Sequence, residues 1–332
     1  MRLPKVLALC VLLVGVATAP AVSSAASPIA SGRLLIEPQV GATPYVTAVR
    51  QAKHAVDVNS YLLDDSSLVS ALVAAANHGV SVRVIVAGNP YDDARAVPQE
   101  KAEFAKTRVQ IKTAPARFEG SYVFDHAKYL VVDPGFATET AILGSSNMDY
   151  SGLSGGNREY DWETSSPQVV KALAAVFNAD WAGRKAGPAP RGALVLSPGA
   201  EQAILGLIDS SHHGVEIETE EFSRVPAVAL ALEAVLRLHE SVRIVVPSSI
   251  SSYDLEQLRP LARDGAKIVE VRSPYIHAKL IIADSRAFIG SQNFSNSSLD
   301  DNREVGILLD GAPVNTLLHQ FNADFAAGKP IR

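Results

Sequence analysis

The sequence predicts an α/β fold of two duplicated lobes, each built on a mixed, mostly parallel sheet, the lobes being related by a pseudo-two-fold axis. Three observations predict it. Short runs of Val, Ile and Leu alternate with stretches of helical spacing along most of the chain. The pattern His-x-Lys-x-x-x-x-Asp occurs at residues 126–133 and again at 277–284. Shorter motifs repeat in the same order: Gly144-Ser145-Ser146-Asn147 with Gly290-Ser291-Gln292-Asn293, Asn157-Arg158-Glu159 with Asn302-Arg303-Glu304, and Phe177-Asn178-Ala179-Asp180 with Phe321-Asn322-Ala323-Asp324. The offset drifts only from 151 (His126 to His277) to 144 (Asp180 to Asp324), as an internal duplication with small insertions requires.

The chain starts with a predicted leader. Arg2 and Lys5 precede an apolar run at 6–17, and small residues follow to 26. Residues 1–26 thus read as a secretory signal peptide, which implies a secreted or periplasmic protein. The apolar run is short for a membrane span. The single cysteine, Cys10, lies within it and follows Leu9 rather than a small residue, which argues against a lipid anchor. The rest of the sequence then offers no thiol for a disulfide or a thiolate metal site, and a chain of this length can rely on a large core. The formal charge of −5 becomes −7 once Arg2 and Lys5 are lost. A net acidic chain is not built for indiscriminate adhesion to nucleic acid.

The first lobe is assigned to residues 27–183. It reads as strand 33–38, helix 45–54, strand 55–62, and helix 65–78 with Asp64 or Asp65 as N-cap and Gly79 as the stop. Strand 80–87, a connector at 90–106 and strand 109–113 follow, then the His-x-Lys strand, strands 140–143 and 160–164, and helix 168–181. Residues 184–192, rich in Pro and Gly and without apolar periodicity, read as a linker. The second lobe, 193–332, repeats the plan, with strands near 193–197, 215–219, 242–246, 267–271, 280–282, 287–289 and 305–309. Its helices are expected at 200–210, 227–239, 253–263 and 314–325.

On a strand, residues two apart share a face, so His126 with Lys128 and His277 with Lys279 each offer a proton-transfer group beside a fixed cation. Two such elements, each followed by Gly-Ser-x-Asn and Asn-Arg-Glu, resemble the phospholipase D superfamily over essentially the whole chain from about Arg33 to Phe325. The resemblance implies that one histidine attacks phosphorus and becomes a phosphohistidine while the other protonates the leaving alcohol. It assigns His126 as nucleophile and His277 as acid. It assigns Lys128, Lys279, Asn147 and Asn293 to the phosphate oxygens, assisted by Ser145 and Ser291. Glu159 and Glu304 would each orient the histidine of their own half by binding its far ring nitrogen. Asp133 and Asp284 lie an odd seven positions beyond their histidines, face the other way, and read as structural.

The six other histidines have no ligand spacing, so no metal and no cofactor is inferred. Gly152-Leu153-Ser154-Gly155-Gly156 matches a nucleophile elbow, but polar residues and a strand follow it where a helix is required, so a loop is expected. Phe118, Tyr122 and Phe124 before His126, and Tyr275 and Ile276 before His277, are candidates for a cleft rim or for core. The reading is a secreted, metal-independent phosphodiesterase that hydrolyses a phospholipid such as phosphatidylcholine to phosphatidic acid, with transfer to other alcohols competing. The partner is a phospholipid, at a membrane surface, and the chain is a monomer with an internal pseudo-dimer. The alternatives are a secreted endonuclease, a cardiolipin-synthase-like phosphatidyl transferase, against which the want of membrane helices counts, and a non-catalytic binding protein.

Overall fold

The structure, a computed structural model, describes residues 32–331 except Asp92 and Ala94. The predicted leader and Cys10 lie outside the described residues.

The strands of the first lobe are β1 (Gly32–Glu37), β2 (Ala55–Ser60), β3 (Ser81–Val86), β4 (Gln110–Thr113), β5 (Tyr129–Val132), β6 (Thr140–Gly144) and β7 (Asn157–Thr164). Those of the second are β8 (Val195–Ser197), β9 (Gly214–Thr219), β10 (Ser241–Pro247), β11 (Lys267–Val271), β12 (Lys279–Ala283), β13 (Arg286–Gly290) and β14 (Glu304–Asp310). The first sheet runs β1-β7-β6-β5-β2-β3-β4 and the second β8-β14-β13-β12-β9-β10-β11, the same order over seven strands, with Tyr275–Ile276 added on β7 and Lys329–Pro330 beside β11. The duplication is therefore a duplication of topology.

The mostly parallel expectation is corrected. Among the strands named above, β2–β3–β4 and β9–β10–β11 pair in parallel, whereas β1-β7-β6-β5-β2 and its counterpart are antiparallel throughout. Parallel neighbours need long crossovers, and only the front half of each lobe supplies them. The crossovers between parallel strands are α2 (Ser66–Asn77) and α3 (Ala96–Phe104) in the first lobe, and α7 (Pro226–Arg237) and α8 (Ser252–Arg263) in the second. Helix α1 (Thr43–Gln51) leads from β1 to β2, and α6 (Glu201–Ile208) from β8 to β9. Helix α3 falls in the expected connector. Only Ala96, Glu100 and Phe104 of it are buried, a stripe too thin to stand out as periodicity. Asp65 does cap α2, accepting from the Ser67 and Leu68 amides. The nucleophile-elbow look-alike begins in a one-turn helix, α4 (Tyr150–Leu153), and then enters β7. Of the predicted linker, Ala189–Gly192 forms a 3-10 turn with Pro190 buried.

Five layers result. Helices α1 and α2 cover the outer face of the first sheet, where Val56, Val58, Leu130 and Val132 meet Val49, Leu68 and Leu72. Helices α6 and α7 cover the second sheet in the same way through Ile217, Ile244 and Ile281. Between the sheets lie α5 (Pro167–Trp181) and α9 (Ala312–Ala327). Their Leu173, Phe177, Leu317 and Phe321 share one core with Tyr129, Val131, Leu280, Ile282 and Ile307 from both sheets. Strand alternation decides this split, since Tyr129 and Val131 point inward while Leu130 and Val132 point outward. The lobes therefore share one apolar core.

Candidate active site

Each histidine enters along a strand of the opposite lobe. Tyr275–Ile276 pairs in parallel with Asn157–Arg158 of β7. Asp125 bridges Arg303, and the His126 amide donates to the Arg303 carbonyl at 2.8 Å. Two buried ion pairs cross at the same place. Arg158 Nε donates to Asp324 Oδ2 and Arg303 Nε to Asp180 Oδ2, each at 2.7 Å. The repeated Asn-Arg-Glu and Phe-Asn-Ala-Asp motifs thus meet each other between lobes.

This crossing corrects the assignment of the glutamates. His126 Nδ1 lies 3.0 Å from Glu304 Oε2, and His277 Nδ1 lies 2.6 Å from Glu159 Oε1. Each carboxylate serves the histidine of the other half, because the strand that carries it runs beside the other half's entering segment. Ser298 Oγ and Asn302 Nδ2 donate to Glu304 Oε1 at 2.5 and 3.1 Å, and Asn157 Nδ2 donates to Glu159 Oε1 at 3.3 Å. Nδ1 of His126 is hydrogen-bonded to Glu304 and Nδ1 of His277 lies against Glu159, which leaves Nε2 as the reactive nitrogen of each ring. Burial pushes the His126 imidazole down to about 4 against the pull of Glu304, so its ring is neutral near pH 7. Burial raises the Glu304 carboxyl, but His126 and Lys128 outweigh it and hold the group below its ordinary range.

Lys128 precedes β5 and Lys279 begins β12. Both ammonium groups are buried and donate to the carbonyl of their own histidine, at 2.6 and 2.5 Å. Burial pushes Lys128 down to about 7, with Glu304 pulling the other way. Asn147 and Asn293 line the same pocket as both histidines, and their Oδ1 atoms are buried without a hydrogen-bond partner. The Nδ2 groups of these amides, not the oxygens, are the donors suited to an anionic ligand. Ser145 and Ser291 are off the pocket wall, where their hydroxyls accept from the Tyr160 and Val305 amides, both at 3.0 Å, and tie each turn to the next strand. Asp133 and Asp284 sit at the far ends of β5 and β12 with left-handed backbones, φ 47° and 52°. Asp133 accepts from the Lys53, His54 and Ala55 amides and the Thr138 hydroxyl, and Asp284 from the His212 and His213 amides.

The pocket holds about 580 Å³. Tyr61, Tyr91, Tyr122 and Phe124 line one side, and Glu220, Glu221 and Ser298 also face it. Of the candidate rim residues, Phe124 lines the pocket and Tyr122 is exposed at its mouth, whereas Phe118 and Ile276 are core. Glu220 was not foreseen from the sequence. Its Oε2 lies 3.0 Å from Lys279 Nζ and 3.4 Å from His277 Nε2, and Oε1 accepts from the Tyr275 hydroxyl at 2.9 Å. The available signal was its place just beyond the end of β9, matching Tyr61 just beyond β2. Two imidazoles and two amides therefore line one cavity, with the buried Lys128 and Lys279 ammonium groups behind its wall against Tyr61 and Glu220, an arrangement able to grip an anionic tetrahedral group between a nucleophile and an acid.

The family model described as "Cardiolipin synthase, PLD-like domain" matches residues 45–181 and 204–327. This chain belongs to the phospholipase D superfamily. Among curated members, cardiolipin synthase 1 of Bacillus anthracis is 22% identical over 333 residues, covering 86% of this chain and 64% of that one. The cardiolipin synthase of Oceanobacillus iheyensis is 25% identical, covering 83% and 64%. This phospholipase D-like chain thus spans just under two thirds of those relatives' length. Among solved structures, phosphatidylserine synthase from Haemophilus influenzae superposes with a TM-score of 0.67 at 12% identity, covering 90% of this chain and 87% of that one. Polyphosphate kinase from Porphyromonas gingivalis gives 0.68 at 15%, covering 89% and 50%. At such identities the likeness is one of fold. Among the described residues, no helix is long and apolar enough to cross a membrane.

Proposed function

We propose that this phospholipase D-like protein moves a phosphatidyl group from a phospholipid to an alcohol through a phosphohistidine, with water as a competing acceptor. The observation that carries it is the pair of histidines in one pocket, each with Nδ1 against a carboxylate from the other lobe. His126 Nε2 attacks phosphorus, and the bond to the leaving oxygen breaks as His277 Nε2 gives that oxygen its proton. The acceptor hydroxyl then returns a proton to His277 as its oxygen displaces His126. Lys128, Lys279, Asn147 and Asn293 hold the non-bridging oxygens, so the cations that balance the developing charge are side chains.

The relatives named cardiolipin synthases support transfer over plain hydrolysis, and this revises the order in which the sequence alone places them. Glu220 and Glu221 on the pocket wall weigh against a polyanionic nucleic-acid strand. The leader read in residues 1–26 supports an exported location.

The test is to incubate the purified protein with phospholipid vesicles plus glycerol and, separately, with duplex DNA. New phosphatidyl ester or phosphatidic acid is expected, unaffected by EDTA. His126→Ala and His277→Ala should each lose activity at least about 1,000-fold while circular dichroism stays unchanged. DNA cleavage without lipid turnover, or substantial activity in either variant, would refute the reading.

A further inference from the structure

We propose that Glu220 is the specificity-determining residue on the alcohol side of the reaction, reading a second hydrogen-bond donor, a neighbouring hydroxyl or an ammonium, on the alcohol that leaves or enters. The inference rests on the phosphohistidine reading above and deepens it.

The argument starts from a broken symmetry. Asn59 pairs with Tyr129 in the first sheet and Glu218 with Leu280 in the second, at matching places. Two residues further on, Tyr61 and Glu220 therefore occupy equivalent positions. Tyr61 sets its ring edge-on against His126, centroids 4.8 Å apart, with the Lys128 ammonium 5.1 Å from its centre. Glu220 instead brings a carboxylate to Lys279 and to Nε2 of His277. Burial raises that carboxyl, but His277 and Lys279 outweigh burial and keep it ionised.

A carboxylate repels phosphoryl oxygens unless a cation stands between them, and Lys279, 3.0 Å from Glu220, is that cation; the histidine next to Glu220 is therefore the one better suited to the alcohol than to phosphorus. Glu220 flanks the histidine that trades a proton with the alcohol. The alcohol oxygen must come within hydrogen-bond reach of His277 Nε2. Glu220 is then next to the carbon chain of that alcohol. A carboxylate offers about four acceptor directions, and Lys279 and Tyr275 account for two. A remaining direction suits a donor on the alcohol's adjacent carbon. Water and a monohydric alcohol have no such group, whereas a polyol or an amino alcohol does. A site that hydrogen-bonds a substituent discriminates strongly against analogues that lack it.

The experiment is a competition in one tube. The enzyme receives a phosphatidyl donor in detergent micelles with equimolar glycerol and 1-propanol, then ethanolamine and 1-propanol at pH 7. The two phosphatidyl products are quantified by mass spectrometry. The wild-type protein should favour the donor-bearing acceptor, and Glu220→Gln should lower the product ratio about tenfold or more. Glu220→Asp, which keeps the charge, should restore part of it. An unchanged ratio in Glu220→Gln overturns the assignment. Loss of both products in Glu220→Gln and Glu220→Asp, with folding intact, overturns it too, because the residue would then serve steps common to all acceptors. A wild-type protein that forms neither product overturns the transfer reading, and this assignment with it.

Discussion

His126 and His277 hold matching positions, yet their neighbours set them different tasks. His126 is neutral because it is buried, and Lys128 beside it titrates near neutrality for the same reason. The pH dependence of kcat/KM follows, since that quantity reports the free enzyme. It should hold from about pH 4 to about pH 7. Below, His126 gains a proton and its nucleophilic lone pair is lost. Above, Lys128 sheds the charge that receives the phosphate. Lys128→Arg, with a guanidinium that stays charged, should carry the alkaline limb upward, as far as His277 keeps the proton that the leaving oxygen takes, even if kcat falls. Steady-state rates on a soluble short-chain diester would check this, and an alkaline limb that does not move would refute it. The sequence made the His, Lys and Asn set legible because each member is duplicated. Glu220 was hidden for the converse reason. It has no twin, and an unrepeated acidic residue after a strand looks like any solvated strand end.

The elements are held in place at the ends away from the pocket. Asp133 gathers three consecutive amides from the turn before β2 and a hydroxyl from the loop before β6. This one side chain joins the start of one strand to the end of its neighbour, and so fixes the register of the strand that Lys128 leads into. Asp133→Ala leaves those donors unpaired and places alanine in a left-handed backbone. A loss of about 2–4 kcal/mol is expected, seen as a lower melting temperature. Asp284→Ala should cost less, because the Asp284 side chain is 22% exposed whereas Asp133 is buried and holds more donors. Equal melting temperatures for wild type and Asp133→Ala would contradict this account. The odd spacing from the histidine was enough to reveal that these aspartates face away from it. Periodicity also located most strands, because buried strands are long runs of β-branched residues. It missed α3, whose burial is confined to three positions four apart.

At the scale of the whole molecule the lobes are laced together by contacts that change sides. The sequence could not reveal this. In a duplicated chain every motif exists twice, so a contact within a lobe and the same contact between lobes leave identical traces. The expectation that Glu159 serves His126 and Glu304 serves His277 failed for that reason. The crossed Arg158–Asp324 pair is buried, so removing one partner strands a charge. Arg158→Leu should lose about 3–5 kcal/mol, and Arg158→Leu with Asp324→Leu should regain a good part of it. Thermal melts of the two variants decide the point. A single variant as stable as wild type would show that the crossing does not hold the lobes.

The unlike pair Tyr61 and Glu220 has a consequence for why this is one polypeptide. A half-length chain that self-associated would place the same residue at both spots, either twin phenols or twin carboxylates. Genetic fusion releases one copy to mutate without its mate. The pocket can therefore have a face for the group that stays on phosphorus and an opposite face for the partner being exchanged, a polarity that no homodimer of identical halves could encode.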